Sequence, residues 1–111
     1  MKVTITSIEL RNSFLYFVLS HQALFITLQL RKTNCVKMKK RGLWTTHYTM
    51  TLWENEKDLK DFARSGAHLK YMKTSGKIAK AIKTLTIDAT EMPSWKEAKA
   101  MLATVKPIIY K

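Results

Sequence analysis

Cysteine, proline and glycine are all scarce in this 111-residue chain, which holds one Cys, two Pro and three Gly. A single cysteine, Cys35, excludes an internal disulfide and fits a reducing compartment, so the cytoplasm is the expected location; pairing between chains stays open. Arg31, Lys32 and Lys37 stand near it in sequence and would favour a thiolate, but a plain unreactive thiol is the simpler expectation. Without a second cysteine or a His-x-x-x-His spacing there is no zinc site to propose. Thr74-Ser75-Gly76-Lys77 lacks the preceding glycine and strand of a phosphate-binding loop. Acidic residues are few as well, eight against twenty Lys and Arg, for a net charge of +12. Such a charge draws phosphates, anionic lipids and acidic small molecules through its long-range field, but a field is not a site.

Long apolar runs are limited to one segment, Phe14–Leu30. Its length is at the lower limit for crossing roughly 30 Å of hydrocarbon. It also holds Ser20, His21, Gln22, Thr27 and Gln29, so a membrane partner is not expected. The opening MKVTITSIELRNS lacks the short basic start and small-residue cleavage site of a signal peptide, so no export is expected either. What is present is apolar residues at 46% and aromatics at 10%, too rich for a disordered tail. The expectation is one domain over residues 1–111 with a single core, residues 93–111 being an appendage to it.

Val3, Ile5 and Ile8, interleaved with Thr4 and Thr6, predict a strand that ends at Arg11-Asn12-Ser13. Asn12 or Ser13 then caps a helix to about Arg31. That helix has two apolar sides. At 100° per residue Phe14, Phe17, Val18, Leu24, Phe25 and Leu28 gather on one arc, and Leu15, Leu19, Ile26 and Leu30 nearly opposite. Two partners are therefore needed, one being the sheet and the other a second subunit, the rest of the chain or a lipid-like surface. CVKMKKRG predicts a short strand ending at Gly42, and LWTTHYTMTLWE over 43–54 the clearest strand of the chain. On it Trp44, Thr46, Tyr48, Met50 and Leu52 share one face, and His47, Thr49, Thr51 and Trp53 share the other.

Asn55 with Asp58 starts a short helix carrying Leu59 and Phe62, and Ser65-Gly66 stops it. A second helix is predicted from Ala67 through Ile82, with Tyr71, Met72, Ser75, Ile78, Ala79 and Ile82 inward and Lys70, Lys73, Lys77 and Lys80 outward. LTIDA over 85–89 predicts a strand. Ser94 and Glu97 form a capping box for a helix to about Thr104, and Pro107 suits an edge strand at the end. This order approximates the split βαββαβ arrangement, an α+β ferredoxin-like antiparallel sheet with helices on one face. The uncovered face then seeks a partner, and a homodimer is expected.

The run YTMTLWENEKDLKDFARSGAHLKYM over 48–72 resembles a stretch of the dimeric α+β barrel superfamily. It is similar to the antibiotic-biosynthesis-monooxygenase-like proteins and to bacterial proteins near spheroidene monooxygenase. The likeness rests on a strand ending in Trp53-Glu54, an acid-started helix with Leu59 and Phe62, and Ser65-Gly66-Ala67-His68 opening the next helix. It implies two ferredoxin-like subunits packed into a barrel, with a ligand cavity between sheet and helices of each. The activities it implies include cofactor-free oxygenation of aromatic substrates and haem degradation. For haem, the resemblance implies an Asn on the first strand, a Trp and a helical His on iron. His68 and Trp53 are the candidates here, but Met1–Leu10 contains no Asn.

His68 and His47 are the candidate catalytic residues, since imidazole serves as acid or base near neutral pH. The plain alternative for His68 is a hydrogen bond that closes its turn. Trp53, Trp44, Tyr48 and Phe62 are candidate substrate-binding residues, flat apolar surfaces that would serve equally as core. His21 joins them from the long helix. The lysine arc, with no aromatic residue to stack on bases, reads as a solvated face, so nucleic acid is not expected. The functional expectation is a monooxygenase-like protein that binds an apolar or aromatic small molecule, with no metal and no cofactor, haem being the one alternative. Its rivals are a non-catalytic ligand-binding dimer and a basic module for nucleic acid or anionic membranes.

Overall fold

A computed structural model describes residues 1–43 and 45–110. The first strand, β1 (Lys2–Leu10), buries Val3 and Ile5 and turns Thr4, Thr6 and Ile8 to the other face. Asn12 caps the turn after it, its Oδ1 accepting from the Leu15 N–H at 3.2 Å, and a 3₁₀ turn at Ser13–Leu15 leads into α1 (Tyr16–Leu30). The hairpin β2 (Cys35–Leu43) and β3 (Thr46–Trp53) follows, then α2 (Glu56–Ala63) and α3 (Gly66–Met72). Asn55 Oδ1 accepts from the Asp58 N–H at 2.9 Å to start α2, as its spacing predicted. The chain closes with β4 (Ala79–Asp88), α4 (Trp95–Leu102) and β5 (Ile108–Ile109).

The five strands form one antiparallel sheet in the order β2-β3-β1-β4-β5, the α+β ferredoxin-like arrangement with β5 added at one edge. β5 pairs only Ala81 with Ile109 and Ile82 with Ile108, directly after Pro107, so proline sits where no ladder donor is required.

The segment from Ala67 to Ile82 is not the single helix its spacing suggested. α3 ends at Met72, a 3₁₀ turn covers Ser75–Lys77, and Ala79–Asp88 is strand. The reason is nonlocal. β4 pairs with β1 from Lys2↔Asp88 to Leu10↔Ala79, with one bulge between Glu9 and Leu10, and Arg11 ties down the turn before it, its Nε donating to the Gly76 carbonyl at 3.0 Å. Pairing along a whole central strand outweighs the few tenths of a kcal/mol per residue in helix propensity. The lysine arc therefore does not form. Lys80 lies on β4 and meets Glu9 at 3.2 Å.

Two layers of helix flank the sheet. α1, α2 and α3 cover the face of Thr4, Thr49 and Trp53, where Leu30, Trp53 and Phe62 form a small core. The appended α4 lies on the opposite face, where Ala98 and Leu102 pack on Val3, Ile5, Met50 and Leu52. Burial of Met50 and Leu52 thus comes from α4 of the same chain. The capping box that starts α4 is formed, with the Glu97 N–H donating to Ser94 Oγ at 3.1 Å and the Ser94 N–H to Glu97 Oε1 at 3.4 Å.

Candidate functional site

Between the sheet and the three helices lies a cavity of about 600 Å³. Its floor is built from three Thr-x-Thr triplets, Thr4 and Thr6 on β1, Thr49 and Thr51 on β3, Thr84 and Thr86 on β4. Strand register places them in two cross-sheet rows, Thr51–Thr4–Thr86 and Thr49–Thr6–Thr84. Thr4 and Thr86 hydroxyls lie 3.1 Å apart, and Thr51 Oγ1 accepts from the Trp53 indole N–H at 2.9 Å. β-Branched threonine satisfies the strand while lining the cavity with hydroxyls that both donate and accept.

The walls are mostly apolar. α1 contributes Leu19, Ala23, Ile26 and Leu30 with Gln22, α2 contributes Leu59 and Phe62, and α3 contributes His68, Tyr71 and Met72. An apolar enclosure over a few convergent polar groups is the usual form of a small-molecule site.

His68 is held from three sides. Its ring Nδ1 lies 3.1 Å from the Ala63 carbonyl, which only accepts, so Nδ1 carries the hydrogen and Nε2 the lone pair. Phe62 packs against it, tilted by 50° with ring centroids 4.8 Å apart, and Trp53 backs Phe62 at 5.4 Å. Its backbone N–H donates to Gln29 Oε1 at 2.8 Å, and Gln29 Nε2 in turn donates to the Ser65 carbonyl at 2.8 Å and the Phe62 carbonyl at 3.2 Å. Gln29 thereby fastens α1 to the α2–α3 turn. That turn passes through Gly66 at φ +59°, a left-handed conformation that glycine adopts without cost, and a Cβ there would come within 3.0 Å of the Gln29 amide. Burial holds the His68 pKa below its ordinary 6.5, with the Ala63 hydrogen bond opposing in part. At neutral pH the ring is uncharged and able to accept a proton.

The structure brings His68 and Phe62 to the cavity wall and sets Trp53, fully buried, behind Phe62. His47 shares the Trp53 face of β3, as alternation required, but lies toward the far end of the strand. There its ring packs on Tyr16 at 5.3 Å and fits against Gly42, outside the cavity lining. Tyr48 points to the α4 face instead, where it meets Trp95 and lies 5.1 Å from the Lys99 ammonium. Odd and even residues of a strand face opposite layers, so Tyr48 lies outside the cavity under α1–α3 and lines a smaller hollow beside α4 with Lys99 and Leu102. His21 is exposed on the outer side of α1, edge-on to Phe25 at 5.0 Å. Trp44 lies outside the described residues. Cys35 is not activated. Burial pushes its thiol pKa up, and Sγ is 3.4 Å from the Lys37 carbonyl. Among the described residues no cluster of His, Cys, Asp and Glu is arranged to hold a metal ion.

The threonine floor and Tyr71 escaped the sequence reading. A signal existed for the floor, the repeated Thr-x-Thr at 4–6, 49–51 and 84–86, but it carries weight only once the three strands are known to be neighbours.

No family model and no curated protein matches the chain. Solved structures do. A putative antibiotic biosynthesis monooxygenase from Nitrosomonas europaea is 12% identical with a TM-score of 0.70, over 82% of this chain and 100% of that one. A putative antibiotic biosynthesis monooxygenase from Deinococcus radiodurans is 7% identical with a TM-score of 0.69, over 85% and 97%. A conserved protein from Methanosarcina mazei is 8% identical with a TM-score of 0.72, over 80% and 92%. At such identities the likeness is one of backbone architecture. The chain carries the ferredoxin-like α+β fold of the antibiotic-biosynthesis-monooxygenase-like proteins.

Proposed function

We propose that the chain binds an apolar or aromatic small molecule in the sheet–helix cavity and oxygenates it without a cofactor, with His68 as the base. The observation that carries this reading is the placement of a neutral imidazole in the wall of a largely apolar cavity, its tautomer set by Ala63 so that Nε2 holds the lone pair. The matching reaction begins at a methylene acidified by a neighbouring phenol or carbonyl. Nε2 takes the proton, the threonine hydroxyls hydrogen-bond the oxygen on which negative charge collects, and the carbanion passes an electron to O₂. Recombination forms the C–O bond of a peroxide, the proton returns from the imidazolium to give a hydroperoxide, and loss of water leaves a carbonyl. In balance, R₂CH₂ + O₂ gives R₂C=O + H₂O, so substrate supplies the electrons and O₂ is the oxidant. Mostly apolar walls surround the carbanion, with Lys40, Glu56, Lys60 and Arg64 also in the lining.

The test is O₂ uptake with a panel of activated aromatic methylene compounds, run beside binding measured by quenching of tryptophan fluorescence. We expect one O₂ consumed per substrate and a rate in His68→Gln lower by about 10²–10⁴-fold with binding retained. Binding without O₂ uptake by the wild-type protein would leave a non-catalytic carrier. No binding of any compound by the folded protein would remove the cavity as a ligand site.

A further inference from the structure

α1 has two apolar arcs and the chain covers only one of them. Leu19, Ile26 and Leu30 wall the cavity, whereas Phe14 is 80% exposed, Phe17 72%, Leu24 54%, and Leu28, Phe25 and Val18 about 40%. These six fall within one arc of the 3₁₀ turn and helix, with the ring of His21 among them. Scattered single apolar residues on a surface need no explanation, but a continuous strip with three phenylalanines does.

The charge around the strip decides what fits it. From Leu10 to Leu30 the sequence holds no Asp or Glu, and Arg11, Arg31 and Lys32 flank α1 at its two ends, whereas Lys37, Lys39 and Arg41 pair with Leu52, Met50 and Tyr48 and so face the α4 side of the sheet. Arg31 and Lys32 are exposed just past the C-terminal end of α1, and Lys40 on β2 reaches the helix side, its Nζ 3.1 Å from Thr27 Oγ1. α3, packed against α1, adds exposed Lys70 and Lys73. A second copy laid on this strip would bring the same cationic surround against itself. An anionic lipid surface brings the opposite charge, and its acyl boundary accepts the phenylalanines.

We propose that α1 docks this protein onto anionic membrane surfaces, lying in the plane of the headgroups with Phe14, Phe17, Leu24 and Leu28 inserted. Ser13–Leu30 is long and apolar enough to cross a bilayer by composition alone, but its inner arc is committed to the cavity wall and its small core, so the helix lies flat instead of spanning. At 1.5 Å per residue it presents a strip of about 22 Å. This docking does not depend on any reaction in the cavity.

Co-sedimentation of the full chain with phosphatidylcholine vesicles, with and without about one-third phosphatidylserine, tests it. We expect binding to the anionic vesicles and at least about tenfold weaker binding to the neutral ones. We also expect loss of most anionic binding when ionic strength rises to ~0.5 M, where the screening length falls toward a few ångströms. The double variant Phe14→Ser/Phe17→Ser alters only exposed side chains and should bind anionic vesicles at least about tenfold more weakly with unchanged thermal unfolding. Arg31→Glu/Lys32→Glu should weaken binding to anionic vesicles alone. Wild-type protein that ignores anionic vesicles overturns the proposal. So does sedimentation velocity showing a dimer that Phe14→Ser/Phe17→Ser dissociates, because the strip is then an interface between copies.

Discussion

Gln29 is the single side chain whose removal should report most directly on how the site is held. Its three shortest hydrogen bonds across the α1 to α2–α3 junction run to the carbonyls of Phe62 and Ser65 and from the N–H of His68, with a longer one to the Ser65 hydroxyl at 3.4 Å. A net contribution of about 1 kcal/mol per bond gives roughly 3 kcal/mol. Ser65 is exposed, so water replaces part of what its carbonyl loses, and about 2 kcal/mol is the expected cost of Gln29→Met, which keeps length but has no amide. For a domain of this size that is a fall in Tm of roughly 8 °C. Urea unfolding followed by circular dichroism measures the free energy, and amide exchange locates it. The His68 amide should lose protection in the variant while those of β1 fall only by the global change. A loss under about 0.5 kcal/mol, or unchanged protection at His68, would refute the view that Gln29 secures the α2–α3 turn.

Two further outcomes follow from the same packing. Phe62, 6% exposed between Trp53 and His68, should cost about 3–5 kcal/mol when replaced by Ala, and a urea midpoint shifted by less than a third of that would show that Trp53 and α2 collapse into the space. His68 has a folded pKa below its unfolded value, so the unfolded chain binds the proton more tightly and acid favours unfolding. Stability is intact above about pH 6.5 and falls as pH drops below it. In His68→Gln the part of that fall due to His68 should vanish, and identical stability-versus-pH slopes for the two proteins between pH 7 and 5 would rule out burial as the cause.

Local chemistry alone determined a good deal here. Alternation in Thr46–Trp53 told which residues share a face, and Asn12, Asn55 and Ser94 marked helix starts where the side-chain caps are formed. The two-sided α1 was legible too, because an arc of six large apolar residues opposite another is visible at 100° per residue. These signals reach only a few residues along the chain, which is why they stop where they do. Residues 79–82 match a helical spacing and a strand equally, and only the ladder with β1 chose the strand. Likewise, nothing within residues 95–102 says that α4 fills the sheet face opposite α1, a placement set by which apolar surface was still uncovered. The site shows the same division. Sequence proposed His68 and Phe62, and placed His47 on the correct face. Only the packing of Tyr16 against His47, and of Ala63, Gln29 and Phe62 around His68, separated a histidine at the sheet margin from one in the cavity wall. The threonine floor belongs wholly to tertiary structure, since three triplets far apart in the chain become one hydroxyl surface only when β3, β1 and β4 lie side by side in register.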